Sequence, residues 1–217
     1  MRAQALAGPI FVPIMLLLAS SGVLLLSLSS WGNDEPVRLP IDLREGVVVR
    51  STPFKVDFAK PYEVGLEVQR TLPFGRTVCL LDVDADINGD CKAIGSTVSL
   101  TWKIIEQGKL IASGASLPGQ SGAYGQTITR IMGRVELQRG RTYTLEVRSL
   151  SDASALSPTR PKITLALEAP AVETEVVKHA LAMLGSFILA TVGAVWLLIS
   201  TLKHYWPRRA KPASPSA

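Results

Sequence analysis

The chain of 217 residues is long enough for one domain of ordinary size with additional segments. Its formal net charge of +5 comes from outside the middle of the sequence, because residues 32–179 carry all 18 acidic and 18 of the 23 basic residues. The middle region is neutral by count, which argues against nucleic acid as a partner, since that function needs a basic surface.

The first predicted element is an apolar run, residues 10–31, without a single charged side chain. It reaches the roughly 20 residues that a helix needs to cross a bilayer, and residues 1–9 precede it as a short N-terminus. A cleavable signal peptide is the alternative, with Arg2 in its positive segment and the sequence SLS, residues 27–29, as its cleavage site. The run is longer than the usual apolar core of a signal peptide, which favours an uncleaved anchor.

The segment 32–170 alternates between apolar and polar side chains, the pattern of half-buried strands in an antiparallel sheet. Trp102 lies on the apolar side of one such stretch, and the sequence EQGK, residues 106–109, predicts a hairpin turn. No stretch of this region shows a convincing helical period. The pattern predicts an extracytoplasmic antiparallel β-sandwich of immunoglobulin or jelly-roll type, with strands at 46–50, 54–58, 62–68, 98–104, 109–112, 127–137, 143–147 and 163–167.

The only two cysteines of the chain, Cys79 and Cys91, enclose a segment rich in carboxylates and amides. Disulfides persist outside the cytoplasm, so we expect these two cysteines to form one. A closed ring of about a dozen residues would stabilise the domain by roughly 3 kcal/mol if the bond acts by restricting the unfolded chain.

The enclosed segment also matches half of a calcium-binding loop of the EF type. Asp84, Asp86 and Asn88 occupy its first, third and fifth positions and Gly89 its sixth, but Gly95 stands where a bidentate Glu is needed. An ordinary acidic turn has the same composition, because Asp, Asn and Gly favour turns for backbone reasons. We therefore predict a disulfide-closed acidic loop without a cofactor. Calcium is the alternative, with the candidate ligands Asp82, Asp84, Asp86, Asn88 and Asp90.

The sequence of the domain contains no recognisable catalytic arrangement. The two histidines of the chain are His179 and His204, so Ser-His-Asp and Cys-His arrangements are removed from residues 32–170. GxSxG, HExxH and CxxC motifs are also absent, and we expect no enzyme. The stretch LPGQSGAYG, residues 117–125, is interpreted as a loop in which Tyr124 contacts a partner, or as a plain linker between strands.

The second apolar run, residues 180–202, follows a linker at 171–179 and precedes a basic tail at 203–217. It too is uncharged and long enough to cross a bilayer. Small residues recur at every fourth position, a pattern that lets helices approach each other closely in lipid. The predicted packing face, toward the first span, a second copy or another protein, consists of Ala182, Ser186, Ala190 and Ala194.

The distribution of Lys and Arg predicts the topology. Basic residues that closely flank a span stay in the cytoplasm, and the basic residues outside 32–179 are Arg2, Lys203, Arg208, Arg209 and Lys211. We therefore expect both termini in the cytoplasm and the sandwich in the periplasm, at a bacterial inner membrane. Lipid headgroups near the basic tail make the bilayer itself one expected partner.

A membrane-held domain without catalytic motifs favours a protein-interaction module, a hypothesis that rests on analogy. We expect it to bind another envelope protein through edge strands or loops, as an accessory subunit of an envelope complex or an immunity protein against an envelope-acting toxin. A calcium- or carbohydrate-binding module at the membrane surface is the first alternative, and an envelope hydrolase is the second. The small residues of the second span are also compatible with homo-oligomers.

Overall fold

The computed structural model describes residues 7–29, 32–83, 91, 98–116 and 122–205. The chain divides into a β domain, Gly32–Val172, and a helical unit formed by Met1–Trp31 and Glu173–Ala217. The β domain contains the strands and their core, and the helical unit contains the apolar segments.

The β domain consists of two antiparallel sheets. The first contains β1 (Val37–Pro40), β4 (Lys60–Gln69), β7 (Gly122–Tyr124), β8 (Thr127–Leu137) and β10 (Lys162–Leu167), in the spatial order β1-β10-β4-β8-β7. The second contains β2 (Val48–Arg50), β3 (Phe54–Lys55), β5 (Leu100–Glu106), β6 (Lys109–Ala115) and β9 (Thr142–Ser149), in the order β2-β9-β5-β6, with β3 also paired to β9. The fold is therefore mainly antiparallel β, as the alternating sequence predicts.

One core lies between the two sheets. Strand β4 contributes four fully buried side chains to it: Tyr62, Val64, Leu66 and Val68. Trp102 of β5 is 4% exposed, and its Nε1 donates a hydrogen bond across the core to the carbonyl of Met132 in β8, at 3.3 Å. A Cβ atom would stand 2.7 Å from the indole at Gly114 and 2.6 Å from it at Gly133, so glycine at both positions lets the backbone approach the ring. The predicted role of Trp102 as a core anchor is confirmed.

The described part of the β domain contains two short helices, where the sequence shows no convincing helical period. Helix α2 (Phe74–Leu81) begins after Pro73, and a 3-10 helix covers Ser154–Thr159. The lack of a convincing helical period in the sequence therefore did not exclude helices here. Helix α2 has eight residues, fewer than the 11 or more over which a helical period is normally recognised.

The hairpin between β5 and β6 turns at Gln107 and Gly108, as the sequence EQGK predicts. Both residues have a positive φ, 49° and 82°, the geometry of a two-residue hairpin turn of type I′. The register shifts after Ile104, so that Ile105 pairs with Leu110 and Ile111 is left as the extra residue of a bulge.

The chain enters and leaves the β domain at one end of the first sheet, here called the junction end. The backbone N–H of Leu167 donates to the carbonyl of Asp34 at 2.7 Å, which places the exit beside the entrance. Strand β10 extends from there to Lys162, opposite Pro40 of β1. The six residues of β10 span about 20 Å, and the end of the sheet at Lys162 is here called the distal end. The 3-10 helix, which precedes Lys162, and α2, which follows β4, lie at this end.

The helical unit contains α1 (Ala7–Ser29) and most of α3 (Ala169–Tyr205). Helix α3 is long and apolar enough between Ala169 and Lys203 to cross a membrane, whereas the described apolar part of α1, Phe11–Leu25, is shorter. Among the described residues there is thus one helix of that length, and the span expected at residues 10–31 stays a prediction. Helix α3 also continues without a break through 171–179, the predicted linker.

Candidate interaction surface

The two cysteines predicted to pair lie together. Cys79 and Cys91 form a disulfide, with their Cα atoms 5.1 Å apart. Cys79 belongs to the last turn of α2 and is 5% exposed, because that turn is buried in the core. The bond therefore attaches residue 91 to an element that the core holds in place.

Asp82 is the one predicted calcium ligand among the described residues, and it lies beside a buried arginine. It ends α2 in the left-handed conformation, with a φ of 54°. Its carboxylate is 3.9 Å from the guanidinium of Arg130, which is 1% exposed. Arg130 also donates to the carbonyl of Val98 at 3.1 Å, and burial lowers the pKa of its guanidinium. Arg130 thus connects the end of α2 with the start of β5.

The remaining predicted ligands, Asp84, Asp86, Asn88 and Asp90, lie outside the described residues. Among the side chains that are described, no group of three or more His, Cys, Asp or Glu is arranged to hold a metal ion. Calcium binding stays an untested alternative.

The backbone of Tyr124 lies in strand β7, opposite Ile128 of β8. Part of the predicted loop 117–125 is therefore the edge strand Gly122–Tyr124, and residues 117–121 lie outside the described part of the chain. The expected contact between Tyr124 and a partner stays a prediction.

The predicted packing face of the second apolar run lies along α3: Ala182, Ser186, Ala190 and Ala194. Ser186 is 4% exposed, whereas Ala194 is exposed. Gly193 contacts α1 instead, because a Cβ added there would stand 3.3 Å from Cβ of Leu16. Because an α-helix has 3.6 residues per turn, residues spaced by four positions gradually move around its surface. Gly193 is seven positions after Ser186, almost two full turns, and therefore lies on the same face as Ser186.

A further surface of the β domain, not identified from the sequence, is the outer face of the second sheet. We define it by side chains that β2, β5, β6 and β9 turn away from the core: Val48, Arg50, Lys103, Ile105, Leu110, Glu146 and Arg148. These residues are spread over a hundred positions of sequence, and strand register alone brings them together. The sequence gives a signal only for its charged members, which lie on the polar side of a predicted strand or its flank.

Two cations flank one carboxylate on this outer face, and a third cation, Arg148, lies two residues further along the same strand. Glu146 lies between Arg50 and Lys103 in the strand register. Arg50 forms an ion pair with Glu146, and the hydrogen bond from Arg50 Nε to Glu146 Oε2 is 3.1 Å long. This hydrogen bond, with the charges of Arg50 and Lys103, holds the pKa of Glu146 below its usual value. Arg148 has no ion pair among the described residues, so the face is net positive.

Aliphatic side chains flank these charges on both edges of the sheet. Val48 on β2 is 51% exposed and Leu110 on β6 is 53% exposed. Ile111 of the bulge is 42% exposed beside Leu110. Removing such side chains from water is favourable, at about 25 cal/mol for each Å² of apolar surface covered.

Strand β6 forms an open edge of the second sheet, because within the described part of the chain it pairs with β5 alone. An edge strand leaves backbone donors and acceptors available to a strand of another chain. Lys109 and the bulge at Ile111 interrupt this edge near the hairpin, whereas 112–115 continues as regular strand. The outer face and this edge together can therefore accept a partner through side chains and backbone.

Comparisons with known proteins give little beyond these observations. No protein-family model matches the sequence, and no curated protein sequence matches it either. Among solved structures, the chain is similar to a crystal structure of a protein from Sulfurospirillum deleyianum, with 17% identity and a TM-score of 0.49. That similarity covers 62% of this chain and 98% of the other.

Proposed function

We propose that this protein is a membrane-anchored interaction module whose β domain binds another envelope protein on the outer face of the second sheet. The observation that carries this proposal is the combination, on one face, of three cations with one carboxylate, exposed aliphatic side chains and the open edge of β6. Charges steer a partner to the surface, and the covered aliphatic side chains and paired backbone hold it there.

The anchor and its location are part of the proposal. Helix α3 is long and apolar enough to cross a bilayer, which supports a membrane anchor. The disulfide between Cys79 and Cys91 supports a β domain in the periplasm, because disulfides persist outside the cytoplasm. The basic residues that follow α3 support a cytoplasmic C-terminus at a bacterial inner membrane.

The chemistry of the outer face defines the partner that fits it. Acidic side chains of a partner would pair with the cations Arg50, Lys103 and Arg148. Apolar side chains of the partner would cover Val48 and Leu110 at the margins. A partner that pairs a strand with β6 and covers the rest of the outer face, with acidic side chains over its centre and apolar ones over its margins, would meet both requirements. An accessory subunit of an envelope complex or an immunity protein would use such a face.

Site-specific crosslinking in native membranes tests this proposal. A photoreactive residue placed at Val48 of the full-length protein should capture one partner, whereas the same residue at Glu136, exposed on the first sheet, should not. In the protein that carries the photoreactive residue at Val48, Arg148→Glu should lower the crosslinking yield about tenfold, because it places a carboxylate against an acidic partner. Arg139→Glu, an equal charge change in an exposed turn, is the matched control and should leave the yield unchanged.

Three results would contradict the proposal. If the photoreactive residue captures the partner with equal yield at positions 48 and 136, the contact is nonspecific. Equal loss with Arg148→Glu and Arg139→Glu would mean that total charge matters and the outer face does not. A crosslinked partner peptide without acidic residues would exclude the assigned chemistry.

A further inference from the structure

The distal end of the β domain contains a cleft of about 660 Å³ between residues 40–44 and the 3-10 helix. Clefts of this volume are typical of sites for small organic ligands. It lies on a different part of the domain from the outer face of the second sheet, and it involves none of the residues that define that face.

The 3-10 helix forms one wall of the cleft. Three residues per turn place every third side chain on one line. One line is buried in the core and consists of Ala153, Leu156 and Thr159. The next line faces the cleft and consists of Ser154, Ser157 and Arg160. Burial of the first line therefore fixes two hydroxyls and a guanidinium along the cleft.

The segment after β1 forms the other wall. The backbone N–H of Ala153 donates to the carbonyl of Leu43 at 2.9 Å, which ties the two walls together. Leu43 is fully buried, while its neighbours Asp42 and Arg44 line the cleft. The Nε of Arg44 donates to Asp42 Oδ2 at 2.7 Å, so this wall carries a neutralised pair.

The remaining charges of the cleft are positive. The hydrogen bond from Arg44 lowers the pKa of Asp42, and the backbone N–H of Ser154 lowers that of the neighbouring Asp152, so local donors already hold both carboxylates. Arg160 and Lys162 have no ion pair within the described part of the chain. Arg160 is also held at a φ of 51°, a left-handed conformation that favours glycine, yet the position carries a guanidinium.

We propose that this cleft binds a phosphorylated organic molecule, whose phosphoryl group lies between Arg160, Lys162 and the hydroxyl of Ser157. A guanidinium offers a phosphoryl group two parallel donors, an ammonium offers a point charge, and a hydroxyl adds a neutral donor. The cleft is larger than a phosphoryl group needs, which leaves room for a body of the size of a sugar. A soluble phosphate ester and a phospholipid headgroup share this chemistry.

Calorimetric titration of the full-length protein in a neutral detergent tests the site. Glucose 6-phosphate should bind with sub-millimolar affinity, and glucose should bind at least about tenfold more weakly, since it lacks the charge that Arg160 and Lys162 pair with. Arg160→Gly should raise Tm, because glycine adopts the left-handed conformation without strain, and should weaken binding about tenfold. A variant that gains stability while it loses affinity separates the site from folding.

Gln107→Gly is the matched control, because it relieves the same left-handed backbone strain in the β5–β6 hairpin, away from the cleft. It should raise Tm and leave the affinity for glucose 6-phosphate unchanged. The proposal is overturned if glucose and glucose 6-phosphate bind alike, or if Arg160→Gly binds glucose 6-phosphate as tightly as the unchanged protein.

The source of the phosphoryl group is distinguished by competition in solution. Glycerophosphoglycerol, the water-soluble headgroup of phosphatidylglycerol, should compete with glucose 6-phosphate if the cleft takes headgroups. Unchanged affinity for glucose 6-phosphate would assign the site to a soluble ester. Both results uphold the phosphoryl site, since the comparison with glucose and the Arg160→Gly variant decides its existence.

Discussion

At the scale of single residues, Tyr62 makes the stability of the β domain depend on alkaline pH. Its side chain is fully buried, and this burial raises its pKa from 10 to about 12, because a phenolate is costly away from water. A raised pKa in the folded state means that the contribution to stability is complete below pH 10 and is lost as the pH rises toward about 12. The free energy of unfolding should fall by up to about 1.4 kcal/mol per pH unit in this window.

Denaturant unfolding at a series of alkaline pH values measures this slope. Tyr62→Phe should remove it, because phenylalanine cannot ionise, and should leave stability near neutral pH almost unchanged. A slope that persists in Tyr62→Phe would assign the alkaline sensitivity to other groups.

The contact between Trp102 and its two glycines gives a prediction about the core. Gly133→Ala would place a methyl group 2.6 Å from the indole, so either the ring or strand β8 must move. We expect a loss of about 1–3 kcal/mol in the free energy of unfolding, the usual effect of overpacking. Gly125→Ala, where nothing lies within 4 Å of the added Cβ, should change it by less than about 0.5 kcal/mol. Similar values for the two variants would mean that the intrinsic cost of replacing glycine dominates.

At the scale of elements, the disulfide holds the end of α2 and residue 91 together across 12 positions of sequence. Replacing both Cys79 and Cys91 with Ser should lower the free energy of unfolding by about 3 kcal/mol, because the unfolded chain regains the freedom of the ring. Denaturant unfolding with and without dithiothreitol measures this effect. The reductant should destabilise the unchanged protein and have no effect on the double variant; sensitivity of both would point to a different action of the reductant.

The strands were predictable from the sequence because their two faces differ. Strand β8, for example, alternates from Thr127 to Met132 and again from Val135 to Leu137, and it extends over the predicted residues 127–137. Helix α2 escaped prediction because its eight residues are too few for a helical period to be recognised, and the predicted strand 54–58 is reduced to Phe54–Lys55. The short edge strands β1 and β7 contain too few residues for a period-two pattern to be distinguished from chance.

The candidate surfaces were not predictable for a different reason. The outer face of the second sheet joins Val48 with Arg148, and the cleft joins Arg44 with Arg160. Each pair lies about a hundred positions apart in sequence, and neither has a motif of its own. Strand register and packing create both surfaces. Periodicity in the sequence therefore identifies the strands, but it does not show which side chains come together on their outer surfaces.

At the scale of the whole molecule, the contact of Gly193 with Leu16 predicts that the N-terminal helix is retained. Cleavage after α1 would remove the side chains that cover this face of α3. Mass spectrometry of the protein purified from membranes should therefore recover peptides of α1, Ala7–Ser29. A chain that begins near Ser30 would instead identify the first apolar run as a signal peptide.

The neighbouring entrance and exit of the β domain also determine how it responds to mechanical tension. Strands β1 and β10 are antiparallel, and Val37 pairs with Leu165 next to the point where Leu167 binds Asp34. A force that separates the two chain ends would therefore break the hydrogen bonds between β1 and β10 one after another, starting at the junction end. Strands pulled in shear would bear the load on many bonds at once. The β domain should thus yield at low force from its β1 edge, while the distal cleft stays intact until the separation of the strands reaches Lys162.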